Sequence, residues 1–161
     1  MMKNRMMNGL VLGLLSILIA CSPKPEMPAP MVIDKEQVKK EIQAKEDEFA
    51  AVYNGKEVKD IGYYAEDATT FFQNTAPLVG KKAIIEFLTS DLVSNTNKIS
   101  FKTNEVFVSS DGGQVVEIGY FTVSDSTGTA INSGNYMSLF EKRDGKYVCV
   151  RDMSASDRPL E

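Results

Sequence analysis

Residues 99–154, ISFKTNEVFVSSDGGQVVEIGYFTVSDSTGTAINSGNYMSLFEKRDGKYVCVRDMS, decide the fold. Apolar and polar residues alternate with a period of two in four runs, 99–109, 115–124, 130–142 and 146–154, which is the signature of half-buried strands. Between the runs stand Asp111-Gly112-Gly113, Ser126-Thr127-Gly128 and Asp144-Gly145, residues that accept positive φ and so turn a chain back on itself. Four strands joined by short turns make an antiparallel meander. With Asp144-Gly145 as a two-residue turn, Phe140 opposes Cys149, Ser138 opposes Arg151 and Tyr136 opposes Met153, while Leu139, Val148 and Val150 point the other way. Both faces of this hairpin are apolar. One can cover the helices; the other calls for a second cover, which another copy of the chain would supply as a homodimer through the sheet.

Upstream the period changes. Asp34 followed by Gln37 resembles a capping box, and Val38, Ile42, Phe49, Val52 and Tyr53 recur at helical spacing until Asn54-Gly55 supplies a stop. The opposite face carries Lys39, Lys40, Glu41, Lys45, Glu46 and Asp47 and reads as a solvated surface. Val58, Ile61, Tyr64 and Ala65 predict a short second helix, and Ile84, Phe87 and Leu88 after Gly80 a third. Between those two, 68–73 reads as a strand, so the class is α+β: three helices, a short N-terminal strand and the four-strand meander.

The whole chain has 161 residues, a length that suits one domain, with 43% hydrophobic and 25% charged residues, a composition that folds. It contains no His and two Cys, which removes the usual zinc ligands and the Ser-His or Cys-His nucleophile systems. No metal site or cofactor is indicated. A net charge of -4 with no Lys/Arg cluster argues against nucleic acid as a partner.

The first residues read as an address. Lys3 and Arg5 precede an apolar run, 9–20, of GLVLGLLSILIA, and Cys21 follows at once. A membrane span needs about 20 apolar residues, and this run is shorter. Leu18-Ile19-Ala20-Cys21 resembles the bacterial lipobox, which implies a signal peptide over 1–20, removed on export, and lipid on Cys21. Cys149 is then the lone thiol, in the apolar context Tyr-Val-Cys-Val that suits a buried, inert side chain. Residues 21–33 form a spacer with four Pro between 23 and 30, the domain follows over 34–156, and 157–161 are a tail. The expected location is the bacterial envelope, anchored through Cys21, at the outer membrane facing the periplasm.

Helices followed by a long meander, with Tyr64-Ala65-Glu66-Asp67-Ala68-Thr69, Gly80, Asp144-Gly145-Lys146-Tyr147-Val148 and Arg151-Asp152-Met153-Ser154 in that order, resemble the nuclear transport factor 2-like superfamily, its SnoaL-like and ketosteroid-isomerase-like members above all. The resemblance covers roughly 34–156. It implies a cone in which a curved sheet wraps around a long helix and encloses an apolar cavity, with dimers formed through the sheet. It also implies sites that can be checked one by one. Registered on Gly55 and the Tyr-Ala-Glu-Asp-Ala run, the isomerase base falls on Phe72, which accepts no proton; its oxyanion Tyr falls on Glu48, and its protonated Asp near Tyr136.

Aromatic residues along these elements are candidates for a ligand pocket: Phe49, Tyr53, Phe72, Tyr120 and Tyr136, joined by Arg151. Glu117, Arg151 and Asp152 are charged residues inside apolar strand runs, which either face water or need buried partners. The favoured reading is a domain that binds a small apolar molecule or a protein partner without catalysis. The alternative is a proton-transfer isomerase, cyclase or dehydratase in which a cavity carboxylate, Glu117 or Asp152, is the base and Tyr136 a hydrogen-bond donor. A raised carboxylate pKa inside the cavity favours the enzyme, and a wholly apolar cavity favours binding.

Overall fold

Asp34 starts the first helix as expected, its Oδ1 accepting from the Gln37 N–H at 3.0 Å. The computed structural model describes residues 32–158. The leader 1–20, Cys21, most of the spacer and the last residues of the tail lie outside the described residues. Helix α1 spans Lys35–Asn54, and a single 3-10 turn at Val58–Asp60 follows. Strand β1 is Tyr64–Phe71, β2 Leu78–Val79, helix α2 Lys81–Ser94, and then come β3 Lys98–Val108, β4 Gln114–Ser124, β5 Ala130–Arg143 and β6 Lys146–Ser156. Among the described residues, no helix is long and apolar enough to cross a membrane.

The six strands form one curved sheet in the order β2-β1-β6-β5-β4-β3. Its meander is antiparallel, closed at the β5–β6 turn by Asp144 at φ 51° and Gly145 at φ 78°, the pair of left-handed residues that such a turn requires. The β1–β6 pairing is parallel, a departure from the all-antiparallel expectation. Two helices stand where three were expected. Val58 and Ile61 are buried from the 3-10 turn, and Tyr64 and Ala65 are already in β1, whose Tyr64 pairs with Cys149. A short apolar run fits helix or strand spacing equally, and here the exposed edge of β6 captured it.

The β5–β6 hairpin keeps Phe140 opposite Cys149, but a bulge follows. Beyond it Leu139 faces Arg151, Ser138 faces Asp152 and Tyr136 faces Ser154, one residue off the expected register. The extra residue is Val150, which is buried in the core and not on the outer face with Leu139 and Val148. The bulge also turns Asp152 to the same side as Ser138 and Tyr136. Further irregularities, between Thr103 and Glu105 and near Ser124, add to the curvature.

Helix α1 lies across the concave side, burying Val38, Ile42, Phe49 and Tyr53. It also protects the free edge of β3 with two side-chain amides that act as strand surrogates. Gln43 donates to Phe101 O at 3.2 Å and accepts from Thr103 N at 2.8 Å, and Asn54 donates to Ile99 O and accepts from Ile99 N, both at 2.9 Å. These pairs set the height of α1 over the sheet, which in turn sets the width of the space beneath it.

Candidate functional site

Beneath α1 is a cavity of about 320 Å³. Its walls are largely aromatic: Phe49 and Tyr53 from α1, Tyr63 just before β1 and Tyr64 at its start, Phe101 from β3 and Tyr136 from β5. The rings interlock edge to face, with Phe49 to Tyr63 centroids at 5.1 Å and Phe101 to Tyr136 at 5.4 Å, so the walls hold one another in place. Phe72 stacks on Phe87 of α2 at 5.0 Å and also lines the cavity.

Acidic groups stand among these rings. Glu46 is buried in the apolar stripe of α1 and lines the cavity, with Tyr63 Oη donating to its Oε1 at 2.5 Å. Burial pushes the Glu46 carboxyl well above the usual carboxylate range, and the neighbouring charge of Glu117 pushes it further. Glu117 on β4 is fully buried behind it; Thr103 donates to its Oε1 at 2.5 Å and Tyr136 at 2.8 Å, while its Oε2 has no partner. Burial raises its pKa too, and the hydroxyls that donate to it pull the other way. The Glu46 and Glu117 carboxyls lie within hydrogen-bonding reach of each other, an arrangement that favours one shared proton.

Asp152 on β6 lines the same cavity. Tyr64 Oη donates to its Oδ2 at 2.9 Å, and its Oδ1 is buried with no well-aligned donor, as is the hydroxyl of Thr70, its register partner on β1. Burial pushes its pKa up to about 6, against the pull of the Thr70 and Tyr64 hydroxyls. At the far side, Tyr53 donates to the Asp91 carboxylate, and Asn95 Nδ2 donates to both, at 3.3 Å to Tyr53 Oη and 3.2 Å to Asp91 Oδ2. Among the described residues no Lys or Arg lines the cavity, and no three acidic, His or Cys side chains converge to hold a metal ion.

Of the residues expected at the pocket, the structure brings Phe49, Tyr53, Phe72 and Tyr136 together there. Tyr120 is half exposed on the opposite face of β4. Arg151 is on that outer side too, its Nη1 donating to Asp67 O at 3.2 Å and to Val150 O at 2.5 Å. Glu48 faces outward and pairs with Lys45 at 2.9 Å. Cys149 is buried and its thiol pushed well up by burial, which keeps it protonated. The residue that sequence reasoning assigned to solvent and the structure assigns to the site is Glu46. Its signal was positional: 42, 46, 49 and 53 continue one helical face, so the acid falls inside the apolar stripe.

A curved sheet closed over a long helix, with a cavity between them, defines the cystatin-like architecture of nuclear transport factor 2-like proteins. The chain belongs to that superfamily: the model of the SnoaL-like domain matches residues 47–150, more than half of its length. Solved structures agree on the fold. A protein of unknown function from Mycobacterium tuberculosis superposes with a TM-score of 0.63 at 19% identity, over 78% of this chain and 73% of that one. A nuclear transport factor 2-like protein with a cystatin-like fold from Novosphingobium aromaticivorans gives 0.66 at 14% identity, over 78% and 85%. A ketosteroid isomerase-like protein from Erwinia carotovora atroseptica gives 0.60 at 16%, over 74% and 96%. No curated protein matches the sequence.

Proposed function

We propose that this domain binds a small, largely apolar molecule in the cavity beneath α1. The observation that carries the reading is the cavity itself: about 320 Å³ walled by interlocked aromatic rings, within the size of small-molecule sites, with a few polar groups to fix orientation. Titration with 1-naphthol, followed by calorimetry, tests it. Binding is expected, with at least a tenfold loss in Phe49→Ala. An absence of heat at millimolar concentration, or an unchanged affinity in the variant, overturns it.

A second reading is favoured by one observation, the Asp152 carboxyl, whose buried Oδ1 has no well-aligned donor and whose pKa is pushed up to about 6, in the same cavity as Glu46, which burial pushes well above the usual carboxylate range. Burial raises both carboxyls; one that keeps its proton can donate a hydrogen bond, and one that ionises near 6 can accept a proton as base. Asp152 would take a proton from carbon next to a carbonyl, and Glu46 would donate a hydrogen bond to the oxygen. With Phe72 at the position the isomerases give their base, the chemistry would run from β6 instead. Deuterium uptake by 2-tetralone in heavy water reads this out. Catalysed exchange cut about 10²- to 10⁴-fold in Asp152→Asn supports proton transfer; exchange at the buffer rate leaves binding as the activity.

Two settings belong to the proposal. The lipobox-like tetrad 18–21 supports an envelope lipoprotein acylated at Cys21, and intact mass of membrane-extracted protein should show loss of 1–20 and added acyl mass. The apolar outer face of the sheet, Val116, Ile118, Met137 and Leu139, supports a homodimer, with Val150 removed from the expected interface.

A further inference from the structure

We propose that the molecule taken up by the cavity is an organic monocation, an apolar body held by the aromatic walls with a protonated amine at the Asp152 carboxylate. The proposal rests on the small-molecule reading of the cavity and deepens it. Glu46 and Asp152 line the space from two different elements, Glu117 lies behind Glu46, and apart from the proton that Glu46 and Glu117 can share, the groups that donate to these carboxyls are hydroxyls. A hydroxyl satisfies a lone pair and leaves the charge in place. Among the described residues no Lys or Arg lines the walls, so a carboxylate charge there has no cationic side chain beside it.

The unpartnered atom specifies the complement. Asp152 Oδ1 is a buried acceptor with no well-aligned donor, the nearby Thr70 hydroxyl included, and buried acceptors are almost always paired. An ammonium carries three donors and no acceptor, which suits a site with acceptors in excess. The walls agree, because ring faces attract a cation, and Tyr64 both lines the space and holds the other oxygen of Asp152. Among the described residues no three acidic, His or Cys side chains are placed to hold a metal ion, which leaves an organic cation as the better complement. A carboxylate ligand would set charge against like charge.

The groups facing Asp152 set the pH behaviour of the site. They are Glu46 from α1, Tyr63, Tyr64 and Thr70 from β1 and the loop before it, Ser138 from β5 and Cys149 on β6, with Glu117 of β4 beyond Ser138. None is cationic. Asp152, pushed up to about 6, is ionised at pH 8 and protonated at pH 4.5, so attraction for an amine should fall between those values.

Benzylamine, benzyl alcohol and benzoate, three probes with one ring and charges of plus one, zero and minus one, distinguish the possibilities by calorimetry on the full chain. At pH 8 the amine should bind at least tenfold tighter than the alcohol, and benzoate weakest. At pH 4.5 the amine-to-alcohol ratio should fall towards one, as it should at pH 8 in Asp152→Asn. The wild-type pH comparison stands even if that variant does not fold. Alcohol binding as tightly as amine at pH 8, or a ratio unchanged by both pH and the substitution, overturns the monocation while leaving the cavity as a binding site. If none of the three binds, both readings fall together.

Discussion

The two faces of β4, β5 and β6 reverse the usual allotment of residues. On the concave side, under α1, the strands present Glu117, Ser138 and Asp152 among aromatic rings; Glu117 and Ser138 are buried and Asp152 is partly so, with its Oδ1 buried. On the convex side the same strands present two apolar rungs, Val116 with Leu139 and Ile118 with Met137, the latter continuing through Met153 to Phe71. Phe71, Met137 and Met153 are 40%, 43% and 53% exposed. The concave side closes by folding alone, because the helix covers it, and there the chain tolerates polar groups that hydroxyls can satisfy. The convex side has no cover within the described residues, and its apolar rungs are the surface that the proposed homodimer would cover. Acidic and apolar positions thus fall on opposite sides of the same side-chain alternation.

The sharpest break in that comparison lies within β5. Phe140 is fully buried and packs on Tyr63 at 5.5 Å, whereas Met137, three residues earlier, faces out. Phe140→Ala should cost about 3–5 kcal/mol in urea unfolding, and Met137→Ala a small fraction of that. Equal costs would mean that the convex face is as deeply covered as the core.

The next largest effect is in pH. Asp152 is raised from its ordinary value to about 6 by burial, so the folded chain holds a proton that the unfolded chain has already released. Between about pH 4 and pH 6 the folded state binds more protons, and stability falls as pH rises through that window. The full drop is about 3 kcal/mol, present above pH 6 and absent below pH 4. Asp152→Asn should remove most of that slope and raise the stability at pH 7, seen as a higher urea midpoint. A wild type that gains stability from pH 4 to pH 6 would contradict the buried, unpaired carboxyl.

Gly119 tests how tightly the concave face is fitted. A Cβ at this position would lie 2.4 Å from the Tyr136 ring, whose hydroxyl reaches Glu117 across the strand. Gly119→Ala should cost about 1–3 kcal/mol by overpacking and swing Tyr136 off Glu117. Ligand affinity should fall with it, whereas a neutral substitution would show that the ring has room to move.

Much of the fold was legible because its signals are local. The Asp34 cap, the Asn54-Gly55 stop and the Asp144-Gly145 turn each act over a few residues, and all appear where the sequence put them. The misreadings came from long-range events. Capture of Tyr64 by β6 turned an expected helix into a strand, and one bulge at Val150 moved Asp152 to the cavity side and Arg151 outward. Neither has a marker in the residues themselves, because a bulge is set by what the sheet must curve around. Four aromatic positions of the pocket followed from periodicity, yet Glu46 was hidden by its charge, which outweighed its place on the apolar face of α1.

The smallest effect on folding is expected on the convex face, and it carries the clearest test of assembly. Leu139→Lys replaces a half-buried residue between Val116 and Arg151 with a flexible cation whose charged end can reach water. At concentrations where the chain is monomeric, unfolding should shift by no more than about 0.5 kcal/mol, as for a surface change. At micromolar concentration the effect should be on mass: the wild type sediments as a dimer and the variant as a monomer. A like charge placed twice across a two-fold interface must be desolvated in both copies, so the dimer loses far more than either subunit does. A wild type that stays monomeric, or a variant that dimerises as well as the wild type, would detach the convex face from assembly and leave its apolar rungs as surface.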